Sequence, residues 1–91
     1  METKQLQYLV VCADLQSFSK AADILYTSQP NVSKVIRSLE AELGFSLFQR
    51  QNRGIRLTKK GRQVYEYACK AIDNVNQLAA FAKVDEGEEL L

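Results

Sequence analysis

The chain has no histidine, a single proline, and only two cysteines in 91 residues. Without histidine, imidazole-based catalysis is excluded and no histidine can complete a metal site. Cys12 and Cys69 stand far apart with no C-x-x-C spacing, so they do not read as metal ligands. Each is expected to be a small, buried or half-buried apolar residue in a reducing compartment. The alternative is an intermolecular or redox-sensing thiol. No apolar run approaches the roughly 18 residues of a membrane span. The N-terminus METKQLQYLVV lacks the basic start and cleavage pattern of a signal peptide. The expected location is the cytoplasm, with no metal and no cofactor.

The composition that remains, 46% hydrophobic and 25% charged, is that of one small globular domain with a single core. A net charge of +1 hides an uneven distribution. Residues 28–62 hold Lys34, Arg37, Arg50, Arg53, Arg56, Lys59, Lys60 and Arg62 against only Glu40 and Glu42, a net +6, between ends of net −1 and −4. A basic middle of this kind suits a polyanionic partner.

Apolar spacing then divides the chain. Leu6, Leu9, Val10 and Ala13 recur at helical intervals and predict a first helix from Thr3 to about Asp14. Ser17 and Ser19 offer N-caps for a short second helix, SKAADILY, whose apolar face is Ala21, Ala22 and Leu25. Ser28 is a good N-cap and the lone Pro30 falls in a first turn, where its missing N–H does no harm, so a third helix is predicted from Gln29 to Leu43, closed by Gly44. Two helices joined by so short a turn make a helix-turn-helix candidate. FSLFQR and GIRLT, on either side of QNRG, predict a two-stranded hairpin or wing. Thr58 then caps a long helix from about Lys59 to Val84, in which Gly61 is a mild blemish.

The third helix has two faces: Val32, Val35, Ile36, Leu39 and Leu43 on one side, and Pro30, Ser33, Lys34 and Arg37 on the other. Gln29, Asn31 and Ser33 can exchange hydrogen bonds with base edges, Pro30 can meet a thymine methyl, and Lys34 and Arg37 can reach guanine or phosphate. An ordinary solvated surface would use the same residue types. The clustered bases at the hairpin and at the start of the last helix, where positive charge opposes the helix dipole, favour a phosphate-bearing partner.

The run FSKAADILYTSQPNVSKVIRSLEAELGFSLFQRQNRGIRLTKKG, Phe18 to Gly61, resembles the winged helix-turn-helix of the LysR-type transcriptional regulators. Their pattern S-F-[ST]-x-A-A-x-x-L-x-x-[ST]-Q-[PS]-x-[VL]-S-x-x-I-x-x-L-E-x-x-L-G-x-x-L-F-x-R is matched densely and in register, and with the flanking helices the resemblance covers residues 1 to about 84. It implies a mainly α fold: a three-helix core with a two-stranded β wing (residues 1–58), followed by a long C-terminal linker helix (59–84). The acidic tail, 85–91, is expected to be disordered and without function. It implies operator binding, with the third helix in the major groove and the wing, 50–56, near the minor groove. By matching positions Ser28, Gln29, Pro30, Ser33, Lys34 and Arg37 would be contacts, with Thr27 and Asn31 beside them, and Arg50 and Arg53 would serve phosphates and the wing. Lys34 stands where family members often carry Arg, and lysine lacks Arg's bidentate fork; Asn31 occupies a variable position.

In the last helix, Val64, Ala68, Ala71, Val75, Leu78 and Ala82 repeat at heptad-like spacing, with Tyr65, Ile72 and Ala79 beside them. At about 39 Å this helix is longer than the core needs. The expectation is that its early part packs on the first helix, and that Ala71, Ile72, Val75, Leu78, Ala79 and Ala82 meet a second copy. The resemblance implies the same homodimer, which would grip an imperfect inverted repeat in double-stranded DNA. LysR-type regulators are much longer and sense an effector through a further part, so this sequence is expected to be a shortened piece, with a naturally short protein as the alternative. Two other functions are open to a chain of this composition. A winged-helix module for an acidic protein partner would use the same basic segment. An enzyme finds no paired nucleophile, histidine or Gly-rich phosphate loop here.

Overall fold

A computed structural model describes residues 1–84 as four helices and a two-stranded hairpin: α1 (Thr3–Leu15), α2 (Phe18–Ile24), α3 (Gln29–Leu43), β1 (Phe48–Arg50), β2 (Ile55–Leu57) and α4 (Lys59–Ala82). The expected disorder of the acidic tail concerns residues outside those described. No helix among the described residues is long and apolar enough to cross a membrane.

Helix α1 is the hub and packs against α2, α3, α4 and β2. Its Leu9 and Cys12 are fully buried together with Val32, Ile36 and Leu39 of α3 and Leu47 of the connection that follows. At the N-terminus of α1, the Glu2 N–H donates to the Gln5 side chain at 2.8 Å, half of a capping box. The helix ends at Gln16, which adopts a left-handed conformation (φ 54°).

Of the two candidate caps for α2, Ser17 is used: its hydroxyl accepts from the Lys20 N–H at 3.0 Å. The helix stops at Ile24, two residues short of the predicted end. Tyr26 turns left-handed (φ 55°), and the Thr27 N–H returns to the Ala22 carbonyl at 3.0 Å. This is the closed helix end in which glycine is the usual residue. Helix α3 keeps its predicted bounds, with the Ser28 hydroxyl accepting from the Asn31 N–H at 3.2 Å and Gly44 (φ 88°) directing its N–H to the Glu40 carbonyl at 2.7 Å.

The strands are shorter than the apolar runs suggested. Phe45, Ser46 and Leu47 form a packed connection, because the Leu47 N–H is taken by the Glu40 carboxylate at 2.7 Å rather than by a strand. Phe48, Gln49 and Arg50 pair antiparallel with Leu57, Arg56 and Ile55, and the loop between them closes by Gln51 N–H to the Gly54 carbonyl at 2.9 Å.

Thr58 caps α4, accepting from the Gly61 N–H at 2.9 Å. Gly61 is no blemish: a Cβ there would overlap the Leu47 carbonyl oxygen, so only glycine lets α4 seat against this connection. Val64 and Ala68 pack into the core, Ala71 and Ile72 are half-buried, and from Asp73 onward α4 is exposed, ending at Ala82 rather than Val84. The projecting helix gives the molecule its elongated 56 × 26 × 19 Å shape.

Candidate nucleic-acid interface

Helix α3 and the wing enclose a cleft of about 210 Å³. Ser33, Arg37 and Glu40 line it from α3, Gln49 and Arg50 from β1. Its floor is apolar: Phe18 and Phe48 meet edge to face at 5.6 Å, beside Ile36 and the buried Ile55. These rings hold α2 against β1, and so fix the wing relative to α3. Glu40 is the one carboxylate here, but it accepts the Leu47 N–H, which leaves the open face to hydroxyl, amide and guanidinium donors.

A second cleft continues around the N-terminal end of α3, where Gln29 lies with Arg50, Gln51, Asn52, Ser17 and Ser19. Gln29, Ser33, Arg37 and Arg50 therefore form one continuous surface. Pro30 and Lys34 are exposed on the same helix. Ser28 is exposed, with its hydroxyl engaged as the cap.

Two of the sequence-derived candidates turn inward. The Asn31 side-chain amide donates to the Thr27 hydroxyl at 2.9 Å, and both residues are half-buried. This bond braces the first turn of α3 and leaves each side chain only part of its hydrogen-bonding capacity for a ligand. Arg53 does not line the cleft with Arg50: it lines a neighbouring hollow with Lys20, Gln16, Ser17 and Gly54, of which Ser17 and Gly54 also border the cleft around Arg50.

Among the described residues, the one ion pair joins the N-terminal amine to Glu42 at 2.9 Å. Lys34, Arg37, Arg50, Arg53 and Arg56 are therefore not neutralised by a described carboxylate. Lys60, at the start of α4, is partly engaged, with its Nζ 4.8 Å from the centre of the Phe45 ring. Gln49, Gln51, Ser19 and Lys20 line these clefts without having been singled out as contacts in the sequence. For Gln49 and Gln51 the available signal was the stretch FQRQNRG, in which donors replace carboxylates throughout.

The thiols lie away from this surface. Cys12 is fully buried and burial pushes its pKa up to about 12, so it stays an inert thiol. Cys69 is half-buried on α4. No cluster of three metal-ligating side chains occurs among the described residues.

Residues 3–62 match the family described as bacterial regulatory helix-turn-helix protein, lysR family. The transcriptional regulator BenM of Acinetobacter baylyi is 42% identical over 83 residues, which is 91% of this chain and 27% of BenM. CitR of Bacillus subtilis is 38% identical over 88 residues, 96% of this chain and 30% of CitR. The chain thus spans less than a third of these two curated relatives. Among solved structures, the BenM DNA-binding domain in complex with catB site 1 DNA superposes with a TM-score of 0.87 at 42% identity, over 91% of this chain and 89% of that one. The CbnR DNA-binding domain bound to DNA gives 0.86 at 32% identity, over 91% and 95%.

Proposed function

The chain belongs to the lysR family of bacterial regulatory helix-turn-helix proteins, and we propose that it is the operator-targeting part of a transcriptional regulator, binding double-stranded DNA sequence-specifically as a dimer. The observation that carries this reading is the continuous surface of Gln29, Ser33, Arg37 and Arg50 between α3 and the wing, floored by packed aromatics, with its single carboxylate engaged by the Leu47 N–H. The likeness to two DNA-binding domains in complex with DNA supports it.

In this reading α3 enters the major groove, which is about 12 Å wide and admits a helix. Gln29, Ser33, Lys34 and Arg37 meet base edges or phosphates, and Pro30 offers an apolar contact. Ser28 lies at the helix N-terminus, where the backbone amides favour a phosphate oxygen. Thr27 and Asn31 brace that turn and add what capacity they retain. Arg50 and Arg53, in neighbouring hollows beside the wing, grip phosphates near the minor groove.

Residues 1–58 form the DNA-binding unit and 59–84 the linker helix. Its Ala71, Ile72, Val75, Leu78, Ala79 and Ala82 pair with a second copy, so that two α3 helices reach half-sites of an inverted repeat. The protein acts in the cytoplasm and is not an enzyme, and effector sensing belongs to a further part such as the longer relatives have room for.

Selection from a pool of random duplexes at near-physiological salt, with sequencing of the bound fraction, tests the proposal. Recovery of an inverted repeat with fixed spacing is the expected result. Retention of DNA without enrichment of any sequence would overturn sequence-specific recognition by this chain.

A further inference from the structure

We infer that the hydrogen bond between Tyr65 and Asp14 sets the angle at which α4 leaves the winged-helix body, and thereby which half-site spacing the dimer accepts. The inference rests on the dimeric DNA-binding reading above. The Tyr65 hydroxyl donates to Asp14 Oδ1 at 2.5 Å, across 51 positions of sequence. Among the described residues it is the one side-chain hydrogen bond that joins the body of α4 to another helix.

The inward line of the α4 seat is Gly61, Val64 and Ala68, followed by the half-buried Ala71 and Ile72; the small residues in it permit close approach and present little ridge for a neighbouring helix to lock against in rotation. Tyr65 lies to one side of that line, where a directional bond to the last turn of α1 acts as a lateral stop. The phenol is held above its ordinary pKa range by the Asp14 carboxylate first and by Cys69 second, which keeps it in the donor form.

The position of Asp14 adds to its importance. Two residues on, the Gln16 carbonyl accepts the Ile55 N–H at 3.1 Å, and a Cβ on Gly54 would overlap that same carbonyl oxygen. One short stretch, Asp14 to Gln16, therefore anchors both the linker helix and the wing. Leu78 lies thirteen residues beyond Tyr65, about 20 Å along the helix. A swing of about 10° there displaces it by roughly 3.5 Å, and two-fold symmetry doubles this to about two base-pair steps of 3.4 Å.

The test measures binding of the wild-type chain, Tyr65→Phe, Asp14→Asn and Asp14→Ala to duplexes carrying the selected half-site twice, with the spacing varied one base pair at a time, and to a duplex with one half-site. Tyr65→Phe should keep the single-site affinity. Its preference for the best spacing over one two base pairs away should fall about fivefold, the factor that a restraint of about 1 kcal/mol supplies. Asp14→Asn keeps an acceptor and should retain much of the wild-type profile. Asp14→Ala removes the bond from the α1 side and should reproduce Tyr65→Phe, which provides a second reading should the tyrosine variant fold poorly. A wild-type spacing profile in both Tyr65→Phe and Asp14→Ala would overturn the inference and leave the dimer reading intact. A wild-type chain with no spacing optimum would remove the dimer reading, and this inference with it.

Discussion

The Asn31 side-chain amide donates to the Thr27 hydroxyl at 2.9 Å, tying the turn before α3 to its first helical residues. The two side chains thus form one brace, and their substitutions should not act independently. Thr27→Val and Asn31→Ala should each weaken operator binding by about 1 kcal/mol, the net value of one such bond. The double variant should lose little more than either alone. A double-mutant cycle by fluorescence anisotropy measures the coupling; full additivity would mean that each residue contacts DNA on its own.

Ser33 and Arg37 line the cleft beside the wing, and Lys34 is exposed on the same helix. Ser33→Ala and Lys34→Ala should each cost roughly 1–3 kcal/mol on the selected operator and relax the base preference there. Arg53, which lines a neighbouring hollow and not the cleft beside α3, should behave differently. Arg53→Ala should weaken binding to all sequences and lower the slope of log K against log salt by about 1, as one phosphate contact requires. Titrations on operator and scrambled duplexes at several salt concentrations separate the two behaviours.

Helix propensity alone says that Gly61→Ala should stabilise α4 by about 1 kcal/mol. The contact with the Leu47 carbonyl reverses the sign: the new methyl would overlap backbone that is itself bonded to the Thr58 N–H at 2.9 Å. A loss of about 1–3 kcal/mol, typical of overpacking, is expected. Urea denaturation of the variant decides between the two signs.

Tyr26 presents the reverse case. It holds a left-handed conformation (φ 55°) with its side chain 96% exposed, so its strain is repaid by no packing within the chain. Tyr26→Gly should raise stability by about 1 kcal/mol, read as a higher urea midpoint. An unchanged or lower midpoint would show that the ring stabilises the turn in solution.

Alkaline pH should destabilise the fold. Burial raises the folded Cys12 pKa from 9.0 to about 12, so between those values the unfolded chain releases a proton that the folded chain retains. Stability is then full below about pH 9 and falls by up to about 1.4 kcal/mol per pH unit through that window. Tyr65, also raised, acts in the same direction at its own higher range. Urea midpoints from pH 8 to 10.5 should decline in the wild type, and less steeply in Cys12→Ala, whose midpoint starts lower because of the cavity.

Local chemistry was enough to read much of this protein from its sequence. Ser28, Pro30 and Gly44 punctuate α3 at its observed ends, because caps and turn residues act on their own neighbours. The heptad spacing of α4 and the basic segment from 28 to 62 were equally visible, since periodicity and charge are properties of the chain. Contacts between distant segments were not. The need for glycine at 61 depends on a carbonyl fourteen residues earlier, and the inward turn of Glu40 depends on the path of the chain to Leu47. The placement of Arg50 and Arg53 in different but adjoining hollows follows from the hairpin register and from the Gln16 carbonyl that holds Ile55. Propensity and patterning determine which elements form and which faces are apolar or basic. Only close packing, in which backbone atoms of remote segments exclude or bond one another, decides which side chains are free to meet a ligand and at what angle the last helix departs.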